Sequence, residues 1–331
     1  MDRLGLDMQT LAADLAQSRL GETVVPGSIS TKQVRGQRYV YAVERDGIVR
    51  RQRALGKAGE EAVEIEAHAV RAAELRAKGM RRSVSMLKRA GLPAPDITTG
   101  RVLEVIANAG LFDRGMALVG TQAFRAYALV LGVRLQSENL RTRDVDFSVA
   151  ELAMGGLELD LADVLQRADP TFAPVWHPGA DLPTAYKTAL GFSVDLVTQF
   201  GRGRRTLVAV KALSASAEAL SFQNYLTAET LMTVALHGRG VPIRVPDPLR
   251  FGIHKLLVAA CRPTGQRAKA AKDLAQAVEL LDAYLADDPD RLADELADAR
   301  GRGRAWATAI NSSLKQVGRV ARAGALPHPL T

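Results

Sequence analysis

Three aspartates stand where a folded interior seldom accepts them. Asp144 and Asp146 alternate with apolar Val145 and Phe147, a period that puts both carboxylates on one face of a strand. Asp195 lies inside the apolar run Phe192-Ser193-Val194-Asp195-Leu196-Val197. Uncompensated charge is costly in such surroundings, and converging carboxylates repel one another. Hard oxygen ligands at this spacing suit Mg²⁺. Two such ions would relieve the repulsion and align an in-line attack on a phosphate. Ion pairing of Asp144 and Asp146 with Arg141 or Arg143 is the competing explanation. Asp160, Asp163 and Asp181 sit in polar or loop contexts and are weaker partners for the pair. Upstream lies Val119-Gly120-Thr121. Gly120 would let backbone approach a ligand closely, and Thr121 could cap the next helix or offer a hydroxyl. A helix start there presents free N–H groups to a phosphate, although strand-Gly-Thr-helix is also an ordinary cap. Phosphate cradle and carboxylate cluster together are the minimum apparatus for metal-assisted nucleotidyl transfer.

The elements that must position these residues follow from periodicity. Met116 to Val119 predicts a buried strand, and Gln122 to Leu131 a helix with Phe124, Tyr127 and Ala128 inward. Asp144 to Val149 and Thr206 to Val210 predict strands, and Leu159 to Ala168 a helix. Residues 185–199 predict two strand arms or one bent strand. Thr98 or Thr99 would cap a helix through Leu103 and Ile106. Before this unit, residues 3–17 predict an amphipathic helix. Arg38 to Leu55 predicts a hairpin turning at Arg45-Asp46-Gly47. Glu60 to about Ala90 predicts a long helix with a small-residue stripe of Ala62, Ile65, Ala69, Ala72 and Ala73. Gly91-Leu92-Pro93-Ala94-Pro95 reads as a linker. Farther on, 228–238, 248–260, 266–285, 290–299 and 304–322 predict helices, the first two parted by the proline-rich segment Val241 to Pro248. The expected fold class is α/β (α+β), a small mixed-sheet core between helical flanks, with domains at 1–94, 95–212 and 213–331.

At 331 residues and 47% hydrophobic content, the chain can bury a sizeable core. No stretch approaches the roughly 20 apolar residues of a membrane span, and Met1 to Asp7 lacks the pattern of a secretory signal. The single cysteine, Cys261, excludes an internal disulfide framework and a Cys-based zinc cluster, and reads as a small core residue. A cytoplasmic location is expected. The net charge of +8 suits polyanionic partners. Residues 32–57 concentrate it, with eight basic residues (Lys32, Arg35, Arg38, Arg45, Arg50, Arg51, Arg53, Lys57) against Glu44 and Asp46. Tyr39 and Tyr41 interleave with these arginines. Arg35, Arg38, Tyr39, Tyr41, Arg50, Arg51 and Arg53 therefore form a candidate nucleic-acid surface of phosphate contacts and stacking, or else a solvated hairpin packed on the core.

The order Val119-Gly120-Thr121, then Asp144-Val145-Asp146-Phe147, then Val194-Asp195-Leu196 resembles the DNA polymerase β-like nucleotidyltransferase superfamily, with Thr121 in place of the usual Ser or Gly. The closer resemblance is to bacterial nucleotidyltransferase-like proteins with a Thr-x-Asp-Val-Asp-Phe strand (Thr142 to Phe147) and a Gly-x-x-Tyr-x-Tyr hairpin (Gly36 to Tyr41). Residues 248–256 and 269–277 look like that group's closing helices, which often present a lysine to the nucleotide. Lys255 and Lys272 are the candidates, or are solvated helix lysines; His254 reads as a packing residue. The resemblance implies that Asp144 and Asp146 bind two Mg²⁺ ions, for which Mn²⁺ can substitute. It implies that Asp195 binds the catalytic ion and helps activate an acceptor hydroxyl, and that Gly120 and Thr121 hold the β- and γ-phosphates of an NTP. The acceptor class it leaves open. The basic hairpin favours RNA, tRNA included; a protein AMP transferase and a non-catalytic nucleic-acid-binding protein on a degenerate transferase fold are the rivals.

Overall fold

The computed structural model describes residues 2–136, 143–149, 156, 158–200 and 206–322. Arg141 and Thr142 lie outside the described residues. The chain opens with a short strand β1 (Asp2–Arg3) and helix α1 (Leu6–Leu20). A three-stranded antiparallel sheet follows: β2 (Ser28–Val34), β3 (Gln37–Asp46) and β4 (Val49–Lys57), with β3 in the middle. The expected hairpin is thus β3–β4, turning at Asp46, Gly47 and Ile48 with Gly47 at φ +61. Strand β2 escaped sequence reading because its side chains are exposed or half-buried and carry no apolar alternation.

The long helix α2 (Glu61–Arg89) buries Val63, Ala67, Val70, Ala73, Ala77, Met80, Val84 and Leu87. The expected stripe is therefore misplaced around the axis: of its members Ala73 lies inward, while Ile65 is 64% exposed. Spacings of three and four along the observed set define a continuous seam. Its first turns hold β3 through Val40, and its last turns join the main core.

That core surrounds one mixed sheet. Its members are β5 (Ala117–Val119), β7 (Asp144–Ser148), β8 (Ala173–Val175), β9 (Ala185–Lys187), β10 (Ser193–Gln199), β11 (Leu207–Val210) and β12 (Ala215–Leu220). Helices α3 (Ile97–Asn108), α4 (Gly120–Leu131) and α5 (Leu161–Gln166) belong to the same unit, and β6 (Val133–Arg134) pairs with β1. The sheet order is β11-β12-β10-β7-β5; β9 pairs with the first half of β10, and β8 with β9. Residues 185–199 therefore form two antiparallel arms. Asp96, not Thr98 or Thr99, caps α3, its Oδ1 accepting from the Thr99 backbone N–H at 3.0 Å.

The C-terminal part departs from the helical expectation at one place. Residues 228–238 are not a helix, and the proline-rich segment is not a mere break. They form the hairpin β13 (Thr230–Ala235) and β14 (Val241–Pro246), with a short helix α6 (Gln223–Leu226) ahead of it. Val241, Ile243 and Val245 alternate into the core, which a period-two pattern would have revealed. Helices α7 (Pro248–Cys261), α8 (Arg267–Asp287), α9 (Pro289–Gly301) and α10 (Arg304–Arg322) follow as expected and share a second hydrophobic cluster. Cys261 is exposed at the last position of α7, not a core residue. Among the described residues no helix is long and apolar enough to cross a membrane.

Candidate active site

Strands β7 and β10 are parallel neighbours, and their register sets Asp146 opposite Asp195 and Asp144 opposite Ser193. Opposed residues of adjacent strands project from the same face, so the three carboxylates share one surface of the sheet. Val145, Phe147, Val194 and Leu196 point the other way into the core. On the far side of β7, Val119 opposes Asp146, which brings the start of α4 to the same carboxylate. Gly120 is at φ +65, and a Cβ built on it would stand 2.5 Å from Oδ2 of Asp146. Glycine is required there twice over, by backbone conformation and by the approach of the aspartate. Helix α4 begins at Gly120 with Val119 as its cap, so Thr121 lies in the first turn and does not cap the helix.

The electrostatics follow from burial and crowding. Burial, then the charges of Asp144 and Asp195, push Asp146 up to about 7, while Lys255 and Lys272 pull it down. Burial also raises Asp195, and Asp144 raises it further; against this act Ser193 Oγ, donating to Asp195 Oδ2 at 2.8 Å, and Lys187. Lys272 is lowered by burial and by Lys255, with Arg125 adding to the effect and Asp144 and Asp273 opposing it. Residues of β7, β10, α4, α7 and α8 thus act on one another at a single place. The buried Lys255 ammonium is held by Asp273 Oδ1 at 2.8 Å, and Asp273 Oδ2 accepts from Arg262 Nε at 2.6 Å. Lys272 is half-buried. His254 is held down to about 3, first by burial and then by Lys255, and its Nδ1 is buried with no hydrogen-bond partner.

The donor set is chemically suited to a hard divalent cation: three carboxylates, one of them raised to about 7 by burial and then by its neighbours. As placed, no three acidic, histidine or cysteine side chains among the described residues converge at the spacing of one ion. Asp144 and Asp146, on one strand, and Asp195, on the next, are the residues that could hold such ions.

Sequence reading missed Arg125, Lys187, Ser193 and Asp273 as members of this neighbourhood. Asp273 adjoins Lys272, and Arg125 follows the Gly120 turn by five residues, yet neither spacing signals a role before α4 and α8 are packed. The basic hairpin is arranged differently. Arg53 pairs with Glu66 and with Glu44, and Arg51 with Asp46 at 3.1 Å. Asp46 also accepts from Asn108 and Arg167, which dock the β3–β4 turn onto α3 and the end of α5. Arg35, at φ +49 in the β2–β3 turn, is exposed, as are Arg38 and Arg50. Tyr39 and Tyr41 are half-buried, with Lys32 Nζ 5.2 Å from the Tyr41 ring centre.

No curated protein matches the chain. Among solved structures, the crystal structure of an antigenic nucleotidyltransferase-like protein from Paracoccidioides brasiliensis matches at 18% identity, covering 63% of this chain and 92% of that one with a TM-score of 0.33. A family model described as nucleotidyltransferase matches residues 98–301, which spans the glycine turn, all three aspartates and both lysines. The chain belongs to the nucleotidyltransferase family.

Proposed function

We propose that this protein transfers a nucleoside monophosphate from an NTP to an acceptor hydroxyl on RNA and releases pyrophosphate. The observation that carries the reading is the in-register opposition of Asp146 and Asp195 beside Gly120. Carboxylates gathered at this cost need a cation to relieve them. Asp144 and Asp146 would hold two Mg²⁺ ions and Asp195 one of these. When bound, they would supply charge neutralisation at the phosphates and orientation of the attacking oxygen. The first turn of α4, from Gly120 and Thr121, offers its N–H groups to the β- and γ-phosphates. Lys255 and Lys272 add positive charge on the other side, and Asp273 fixes the position of Lys255. The acceptor oxygen attacks the α-phosphorus, the bond to the bridging oxygen breaks, and pyrophosphate leaves. Asp195 would take the acceptor proton and pass it to solvent.

The finer kinship, with bacterial proteins bearing a Gly-x-x-Tyr-x-Tyr hairpin, rests on Gly36 to Tyr41, and exposed Arg35, Arg38 and Arg50 support the choice of RNA. Incubation of the purified chain with labelled NTPs, Mg²⁺ and either total RNA or lysate protein tests the reading. Label in RNA is expected. Label in protein would make it a protein AMP transferase, and no label at all would fit a non-catalytic nucleic-acid-binding protein.

A further inference from the structure

A cavity of about 340 Å³ opens at the ends of β7 and β10, the strands that carry the aspartates. Ser148, Val149 and Gln199 line it from the sheet, and Asn224, Thr227, Thr230 and Arg244 from the segments beyond. Ser148 follows Asp146 by two residues and Gln199 follows Asp195 by four on the same pair of strands. At the rise of a β-strand, Ser148 stands about 7 Å along β7 from Asp146 and Gln199 about 13 Å along β10 from Asp195. Even spacing keeps Ser148 and Gln199 on the face of the aspartates. The cavity therefore opens at the ends of the two strands that carry the aspartates, with Ser148 its nearest residue to Asp146 along β7.

Its lining defines what it can hold. Arg244 alone is charged among the described residues that line it. That guanidinium is already engaged, Nε donating to the Phe112 carbonyl at 2.7 Å and Nη1 to Thr230 Oγ1 at 3.0 Å. The other polar side chains among the described lining residues are hydroxyls and carboxamides, which both donate and accept, and Gly115, Val149 and Ala228 complete the lining. Such a lining suits a neutral ring bearing several hydroxyls. The volume accommodates a unit of nucleoside size.

We infer that this cavity seats the hydroxyl-bearing ring of the acceptor, delivering one hydroxyl to the aspartates while the phosphates of the NTP lie toward Gly120. The inference rests on the nucleotidyltransferase reading and adds the acceptor chemistry to it. The ring is either the terminal ribose of an RNA strand or that of a free nucleoside.

Equilibrium binding tests it without turnover. The probes are Mg·ATP, a short RNA ending in a free 2′,3′-diol, the same RNA ending in a 3′-phosphate, and adenosine. The variants are Ala228→Trp, whose exposed position at the cavity allows the mouth to be closed without touching the core, and Gln199→Ala. Thermal melting at the wild-type temperature confirms that each variant folds. The inference expects the diol-ended RNA or adenosine to bind the wild-type chain and to bind Ala228→Trp at least tenfold more weakly, with a smaller loss in Gln199→Ala. Preference for the diol-ended RNA over its 3′-phosphate form assigns the ring to an RNA end, and binding of adenosine alone assigns it to a free nucleoside. The inference is overturned if neither probe binds the wild-type chain, or if Ala228→Trp binds both at wild-type strength. Mg·ATP reports separately on the aspartates: undiminished binding to Asp146→Asn would defeat the transferase reading and leave the cavity result standing.

Discussion

The two charged regions of this molecule handle charge in opposite ways. On the β2–β4 sheet, acidic and basic side chains answer each other: Arg53 lies between Glu44 and Glu66, and Asp46 receives Arg51, Arg167 and Asn108. On the β7–β10 face, like charges are gathered, with Asp146 and Asp195 half-buried and Asp144 exposed, and burial, then the charges of the other two, raises Asp146 to about 7. Compensated charge serves the fold, because each partner relieves the other. Charge left in conflict needs something from outside the chain. The lysines of α7 and α8 approach the aspartates, yet the ammonium of Lys255 is already taken by Asp273.

The contrast is broken most directly by neutralising the conflicted side. Asp144→Asn combined with Asp146→Asn should lower transfer by on the order of 10²–10³-fold or more, measured as label incorporated per minute at saturating NTP, with an unchanged circular dichroism spectrum. A wild-type rate in that variant would remove the aspartates from the chemistry.

Stability should carry the same signature in chain free of divalent ions. In the folded state Asp146 is raised to about 7 from an ordinary 3.8. The folded chain therefore holds that proton more tightly than the unfolded one, and this contribution is full below about pH 4 and lost as pH rises through 7. Asp146→Asn should then stabilise the metal-free protein at pH 8 by about 1–3 kcal/mol and have little effect at pH 4. His254 gives the opposite slope. Held down to about 3 from 6.5, it contributes stability that is full above pH 6.5 and lost as pH falls toward 3. Urea titrations of Asp146→Asn and His254→Gln at pH 4, 6 and 8 would separate the two.

Gly120→Ala places a methyl against Asp146 Oδ2 in a left-handed backbone. A loss of about 1–3 kcal/mol is expected, together with weaker Mg·NTP binding, both measurable by titration. Smaller effects belong to the β2–β4 sheet. Replacing Arg35, Arg38 and Arg50 by Ser should weaken RNA binding and flatten its dependence on log salt by about 0.7 per lost phosphate contact, with Mg·NTP affinity unchanged. Arg53→Ala should cost only about 0.5 kcal/mol, as befits an exposed pair, read from the shift in urea midpoint.

How far each region could be read in advance follows the same division. Strand periodicity placed Asp144 and Asp146 on one face, since alternation is a local property of the backbone. The β3–β4 turn was equally legible, because Asp46-Gly47 carries its own conformational preference. Reading failed where burial depends on a distant partner. The segment from Thr230 to Pro246 forms a hairpin through β13–β14 pairing, and the seam of α2 is chosen by β3 and the main core. Cys261 has a side chain fit for an interior, but it falls at the last position of α7, where it is exposed.

By itself the sequence determined which residues could do chemistry: carboxylates alternating with apolar neighbours, a glycine before a helix, lysines on later helices. Type and local period are enough for that. Only the tertiary structure decided which of them meet. Asp195 lies 49 positions beyond Asp146, and nothing local dictates that β10 should lie parallel to β7 with those two residues opposed. Register is a contest among whole-strand pairings, settled by which one buries Val145, Phe147, Val194 and Leu196 together. The aspartates are carried to one place by the apolar residues between them.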